Sequence, residues 1–397
     1  MNRQLDVAIV GAGPIGLAAA RASAEAGAET LVVEKKPEGF PSSCCTGLVS
    51  PRTLSTLRVS DSSILQAIRA LRIHLPSGRP IDLRSDQVKA VTIDRNHLEQ
   101  ELLLHARQAG ADIRFDAEAI MAEKGQLQVQ SGRAPQSLRA SVIIGADGPL
   151  SRVASWFSLE QPAQVIAAAQ VELEASAEQE DRVDFFLGNE IAPGFFGWSV
   201  PAASGILRVG LGVLPPQAPM RFLDRLVAHH YPESRILSRT AGWIPIAPVP
   251  RITAPGALLV GDAAGHVKPL SGGGLYTGGA CARIAGKIAA SIAASENQEA
   301  GSNDSPDILV KAYAAQCQET LGKEQAFGQS MRNHMSELAD KDVEAVAEAL
   351  NDPQLLQFLA DKADIDFFHQ LPDRLASEPR LWGTLLRIIP LLGALAN

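Results

Sequence analysis

Cysteine is scarce in this 397-residue chain. There are four, Cys44, Cys45, Cys281 and Cys317, and none forms a C-x-x-C pair. Zinc sites, iron–sulfur ligation and thioredoxin-like redox chemistry draw on such pairs, so neither a disulfide framework nor a metal centre is expected. Charge is also thin. Charged residues make up 20% of the chain, the formal net charge is −8, and no long basic run occurs, which argues against nucleic acid as a partner. Met1-Asn2-Arg3-Gln4 runs straight into a strand pattern, without the apolar stretch and small-residue cleavage site of a secretory signal, so a cytoplasmic protein is expected. Long hydrophobic runs are missing as well. The apolar end segment from Leu381 to Ala396 contains Arg387 and Pro390 and falls short of the roughly twenty residues a bilayer span needs. It reads as a packed helix, with peripheral contact to a membrane surface as the alternative.

What is present is a 46% apolar chain, long enough for two or three packed units. Leu5 to Val10 reads as a buried parallel strand, Pro14 to Ala26 as an Ala-rich helix and Leu31 to Glu34 as the next strand, together a β-α-β unit. Asp94 has the chemistry of an N-cap for a helix to about Gln108, which Gly110 stops before a strand near Ile113. A hairpin-like region at 118–130 leads to the strand Ser141 to Ile144. From Val165 to Val213 short apolar runs near 183–187, 197–200 and 206–213 suggest a second sheet. Ala257 to Val260 returns to the parallel style, and the chain after Gly274 reads as helix, with a Ser/Asn/Glu/Asp-rich surface loop at 295–307. No internal repeat is visible.

Gly11-Ala12-Gly13-Pro14-Ile15-Gly16 follows a strand and opens a helix, the context that lifts G-x-G-x-x-G above a chance match. Gly11 permits the tight turn, Gly13 lets the backbone approach a pyrophosphate, and Gly16 lets the helix pack closely, its N-terminus facing the phosphates. Glu34 ends the second strand about twenty residues on, where an acid accepts hydrogen bonds from the adenosine ribose. These features do not separate FAD from NAD. Val260-Gly261-Asp262-Ala263-Ala264-Gly265 does, because there a strand delivers an acid suited to a ribityl chain, and Ser271-Gly272-Gly273-Gly274-Leu275 then precedes a helix start able to face a flavin and its pyrophosphate. Gly145-Ala146-Asp147-Gly148 with Ser151 ends a third strand and joins the same set. The expected fold is therefore α/β: a Rossmann-like FAD-binding domain from 1–160 and 240–295, with part of 50–95 on the substrate side, an inserted antiparallel sheet at 161–240, and a helical region at 296–397.

This combination resembles the flavoprotein superfamily of aromatic hydroxylases and geranylgeranyl reductases over roughly residues 5 to 290. Three local features are similar to the reductase branch. They are the loop Cys44-Cys45-Thr46-Gly47-Leu48-Val49-Ser50, the run from Gly261 through His266-Val267-Lys268-Pro269 to Tyr276, and Pro193-Gly194-Phe195-Phe196-Gly197-Trp198-Ser199-Val200-Pro201. The resemblance implies flavin contacts at Ile15, Glu34, Cys45, Thr46, Leu48, Arg95, Ala119, Asp262, Gly274 and Leu275, with Asp147 and Gly273 in the accompanying motifs. The paired cysteines and Thr46 depart from the family's more glycine-rich loop.

Reduction of an isolated prenyl double bond has no carbonyl to polarise and needs orientation and dryness instead. Phe195, Phe196, Trp198 and Trp243 are candidates to line an apolar tunnel, with Phe196 and Trp198 on one face of a strand and Gly197 on the other. Cys45 is the candidate proton donor or flavin-side gate, and His266 and Tyr276 are candidate relays. No second strand–G-x-G-x-x-G–helix unit is visible, so NAD(P)H, or a reduced carrier, would have to dock transiently as electron donor. The leading expectation is an FAD-dependent reductase of prenyl chains in a lipid, quinone or pigment. A flavin monooxygenase or halogenase on the same fold, and a non-catalytic electron carrier, are the alternatives.

Overall fold

The computed structural model describes residues 4–40, 45–297 and 305–381. Cys44, most of the acidic loop at 295–307 and the apolar segment after Leu381 lie outside the described residues.

The first sheet is built on Gln4–Val10, whose run of Val, Ala and Ile is buried on both faces, as a central parallel strand requires. It pairs in parallel with Pro135–Gly145 on one side and Thr30–Val33 on the other. Asp112–Arg114 and Ala257–Leu259 extend the sheet, also in parallel. The hairpin Glu118–Glu123/Gln126–Gln130 adds antiparallel strands at its edge. The helices Pro14–Glu25 and Leu275–Asn297 pack together on this sheet, and their small residues set the spacing: a Cβ on Gly286 would fall 2.4 Å from the Ala19 carbonyl oxygen. Asp94 caps the helix Arg95–Gln108 by accepting from the Asn96 and His97 N–H groups.

The second sheet runs in the order Arg235–Pro245, Val165–Glu174, Ile206–Val213, Gly197–Ala203, Arg182–Phe186, Ala70–His74, Pro80–Arg84. It is antiparallel except where Arg182–Phe186 meets Ala70–His74. Helix Pro219–His230 covers one face, with Leu223 and Leu226 against Phe186, Val209 and Leu211. The other face gathers Ala168, Trp198 and Val200 with Leu48, Phe195, Phe196, Ile244 and Ile365. A three-stranded sheet of Leu48–Val49, Ala90–Ile93 and Ile64–Ile68 joins the two halves.

The strands at 64–84, the helix Pro219–His230 and the strand Arg235–Pro245 go beyond the sequence reading. Their apolar positions are interrupted by Arg, His and Asp, because each has one face toward solvent and buries little. Beyond residue 305, Pro306–Glu337 packs along Leu275–Asn297 through Tyr313, Cys317 and Leu321. The chain then crosses back over the second sheet, where Lys89 Nζ donates to the Asp361 carbonyl and Arg52 pairs with Asp364. No helix among the described residues is long and apolar enough to cross a membrane.

Candidate active site

The first glycine motif is shaped by contacts that admit no side chain. Gly11 adopts φ +105°, and a Cβ there would lie 2.4 Å from the Ala146 oxygen; a Cβ on Gly16 would lie 2.0 Å from the Gly11 oxygen. Gly13 has open space where a side chain would stand. It borders a pocket of about 150 Å³ lined also by Ala12, Pro14, Glu34, Arg95, Glu99 and Phe115. Glu34 is held rigidly there, one carboxylate oxygen accepting from Ala12 N–H (2.9 Å) and the other from Lys36 N–H (3.0 Å).

Asp262 meets this unit from the far end of the sequence. A Cβ on Gly261 or Gly278 would fall 3.0 Å from Ile15, and one on Gly274 would fall 3.1 Å from Asp262 Oδ1. Ile15, Asp262, Gly274 and the start of helix Leu275–Asn297 are therefore one neighbourhood. Burial pushes the Asp262 carboxyl up to about 6, against the opposing pull of the Arg95 and His266 charges. Burial likewise opposes the Arg95 charge, but Cys45 and Glu99 together hold its guanidinium above the usual range. Arg95 Nε is buried with no hydrogen-bond partner among the described residues.

An adenine dinucleotide fits these groups. The unfilled space at Gly13, the fixed Glu34 carboxylate, the orphaned Arg95 donor and the desolvated Asp262 are the features an FAD ribose, pyrophosphate and ribityl chain would satisfy. Ala119 sits deeper, in the core with Leu31 and Val33, and Gly273 lies beside the Lys268 side chain. Asp147, grouped by sequence with the cofactor residues, has its carboxylate engaged locally: it accepts from Ser151 Oγ, Arg152 N–H and Val153 N–H at the start of helix Arg152–Trp156, whose N-cap is Ser151.

The loop after Cys45 is strapped to the second sheet. Gln170 Nε2 donates to the Cys45 carbonyl (3.1 Å), while its Oε1 accepts from Trp198 Nε1 (3.1 Å). Arg208 donates to the Thr46 and Ile93 carbonyls and pairs with Glu172. Thr46 Oγ1 accepts from Leu48 N–H, and Cys45 Sγ from Gly47 N–H. Gln170 and Arg208 were missed in the sequence. The available signal was a polar residue breaking an apolar run, Gln170 after Val165-Ile166-Ala167-Ala168-Ala169 and Arg208 in Ile206 to Val213.

Phe195 stacks on Phe196 (4.3 Å between ring centres), and Phe196 meets Trp198 edge-on at 6.1 Å. Gly197 points the other way, toward Leu226 and Phe186. Trp243 does not join this row. Its neighbour Ile244 packs with the Trp198 cluster, so Trp243 takes the opposite face, where it is 44% exposed. Tyr276 packs edge-on to Phe367 with the Arg52 guanidinium above both rings.

His266 is drawn elsewhere. It is 3% exposed, and a ring nitrogen lies within 4.8 Å of the thiols of Cys281 and Cys317, a grouping that positions so far apart in sequence did not suggest. Lys268 is also buried and pairs with the buried Asp366 at 2.9 Å. A larger cavity of about 540 Å³, lined by Arg72, His74, Arg182 and His230, opens on the face of the second sheet away from the Trp198 cluster. The glycine-motif residues, Glu34 and Arg95 line the smaller pocket instead.

Comparison with known proteins agrees with this geometry. Residues 4–221 match the FAD binding domain family. The chain is 31% identical to the digeranylgeranylglycerophospholipid reductase of Methanothrix thermoacetophila over 87% of this chain and 91% of that one. It is also 31% identical to digeranylgeranylglycerophospholipid reductase 2 of Methanopyrus kandleri over 90% and 93%. The crystal structure of a geranylgeranyl bacteriochlorophyll reductase-like protein from Thermoplasma acidophilum superposes with a TM-score of 0.80 at 25% identity, covering 94% of this chain and 99% of that one. The chain is thus an FAD-binding oxidoreductase that belongs to the family of the digeranylgeranylglycerophospholipid reductases.

Proposed function

We propose that this protein reduces isolated C=C bonds in the geranylgeranyl-type chains of a lipid. The observation that carries the reading is the connected unit Trp198–Gln170–Cys45, which ties an aromatic row to the loop entering the cofactor site. Reduced FAD, when bound, supplies a hydride to one alkene carbon, and a proton completes the other. The chain's own residues have three tasks. Phe195, Phe196 and Trp198 hold an apolar chain and exclude water, Gln170 fixes the height of the Cys45 loop against that row, and Cys45 supplies or gates the proton. Glu34, Arg95 and Asp262 hold the cofactor, with Ile15, Thr46, Leu48, Gly274 and Leu275 around it. Tyr276, packed against Phe367 beside Arg52 at the start of helix Leu275–Asn297, is a second candidate for proton delivery; His266 is turned toward Cys281 and Cys317 instead. NAD(P)H or a reduced carrier docks transiently to reload the flavin.

The test is anaerobic. The purified protein should be yellow and release FAD on denaturation, and the dithionite-reduced protein should be reoxidised by a geranylgeranyl lipid without oxygen, giving a product heavier by two hydrogens per bond. Reoxidation that requires oxygen and yields a hydroxylated product would establish the monooxygenase alternative.

A further inference from the structure

Helix Pro306–Glu337 delivers one cation to the aromatic row, and it arrives without a counter-charge. Arg332 is 8% exposed. It donates to the Gly194 carbonyl, and its guanidinium lies 4.8 Å from the centre of the Phe195 ring, the same ring on which Phe196 stacks. Among the described residues no carboxylate lies within ion-pair distance of it, whereas the other largely buried arginines, Arg95, Arg182 and Arg208, each have one. Burial alone lowers its pKa, to about 10.

A buried charge without a partner is costly, and breaking up such pairs is strongly destabilising in proteins. An arginine kept in that condition beside a substrate wall is a desolvated donor for an anion that arrives with a ligand, and its planar fork suits phosphate. Two further features fit. One turn earlier on the same helix face, Gln329 Oε1 is buried with no partner while its Nε2 donates to Asn333 Oδ1; turning both amides over together keeps that bond, with Asn333 as donor, and offers a Gln329 N–H group there instead. The turn is also anchored to the cofactor side, since a Cβ on Gly328 would fall 2.9 Å from Pro269 Cδ. Charge at Arg332, then Phe195, Phe196 and Trp198, is the pattern of an amphiphile with an anionic head and an apolar tail.

We propose that Arg332 is the headgroup residue of the substrate site and binds the phosphate ester of a prenylated lipid, with Gln329 assisting. The assignment rests on the reductase reading, but it can fail separately.

Binding of geranylgeranyl monophosphate, geranylgeraniol and inorganic phosphate to the FAD-loaded protein would be measured by flavin and tryptophan fluorescence, alongside anaerobic reoxidation of the reduced protein by the two prenyl compounds. The wild type should bind the monophosphate at least about tenfold more tightly than the alcohol. In Arg332→Gln this preference ratio should collapse by about tenfold, and Arg332→Lys, which keeps the charge, should retain part of it. Equal wild-type affinities overturn the proposal and need no variant to fold. A ratio unchanged in Arg332→Gln, even with both affinities reduced, makes Arg332 a clamp on the Gly194 loop and overturns it too. So does inorganic phosphate competing as well as the monophosphate, which would describe a general anion site. If both prenyl compounds bind with the expected ratio but neither reoxidises the flavin, the reductase reading falls and the anion site stands.

Discussion

One ionisation, that of the Asp262 carboxyl, bears on both stability and cofactor affinity. On the proposed cofactor site, Asp262→Ala would remove a charge-assisted hydrogen bond to FAD, worth about 1.5–3 kcal/mol, so FAD affinity should fall roughly ten- to hundredfold with the far-ultraviolet spectrum preserved. The pH dependence has a definite sign. Because burial raises its pKa from 3.8 to about 6, the cofactor-free folded chain takes up a proton more readily than the unfolded one. The Asp262 contribution to stability is thus full below about pH 4 and lost as pH rises through about 6. If FAD hydroxyls donate to the ionised carboxylate as proposed, cofactor affinity moves the opposite way: about tenfold weaker at pH 5 than at pH 7.5, where the competent fraction is nearly complete. Fluorescence titrations at the two pH values check this, and Asp262→Asn should flatten the difference. Residues of this kind were legible in the sequence because one local backbone feature explains them. Gln170, Arg208 and Arg332 were not, since each acquires meaning only from a partner far along the chain, at Cys45, Thr46 or Gly194.

Strand alternation sets Trp198 and Trp243 on opposite faces of the second sheet. The period of two sets Phe196 and Trp198 on the same side and Gly197 on the other, which the sequence already implied. Trp243 required the register of Arg235–Pro245 against Val165–Glu174, which pairs it with Ala167 on the helix-covered face. Trp198→Ala should lower prenyl-substrate turnover at least about tenfold, as the loss of roughly 1.4 kcal/mol of apolar contact implies, whereas Trp243→Ala should change it less than twofold; equal effects would misplace the substrate wall. The crossing segment at 361–370 offers a second test. Lys268 and Asp366 form a buried pair that joins this segment to the cofactor loop. Among the described residues, Lys268→Met leaves Asp366 with Arg52 as its one cation and should cost about 3 kcal/mol, read as a lower urea midpoint. Adding Asp366→Leu should recover part of that loss, because removing both charges is far cheaper than stranding one.

At the scale of the molecule, the alternation of β, α and glycine signals was enough to place the two sheets, while the extent of the second one was not. Ala70–His74 and Pro80–Arg84 join it from well before its main strands, across a parallel pairing with Arg182–Phe186 that no local pattern announces. The first sheet is discontinuous in the same way, since Ala257–Leu259 joins it beside Pro135–Gly145, and Ile15 packs against Gly261 and Gly278. During synthesis this spacing becomes time. At about 5–20 residues per second, the ribosome needs roughly 12–50 s after Gly16 emerges before Gly261 follows, and until then the glycine turn faces water without the wall that closes it. Flavin capture should therefore come late in translation: stalled chains ending near residue 250 should bind no FAD, and those extended by enough residues to free Asn297 from the exit tunnel should begin to.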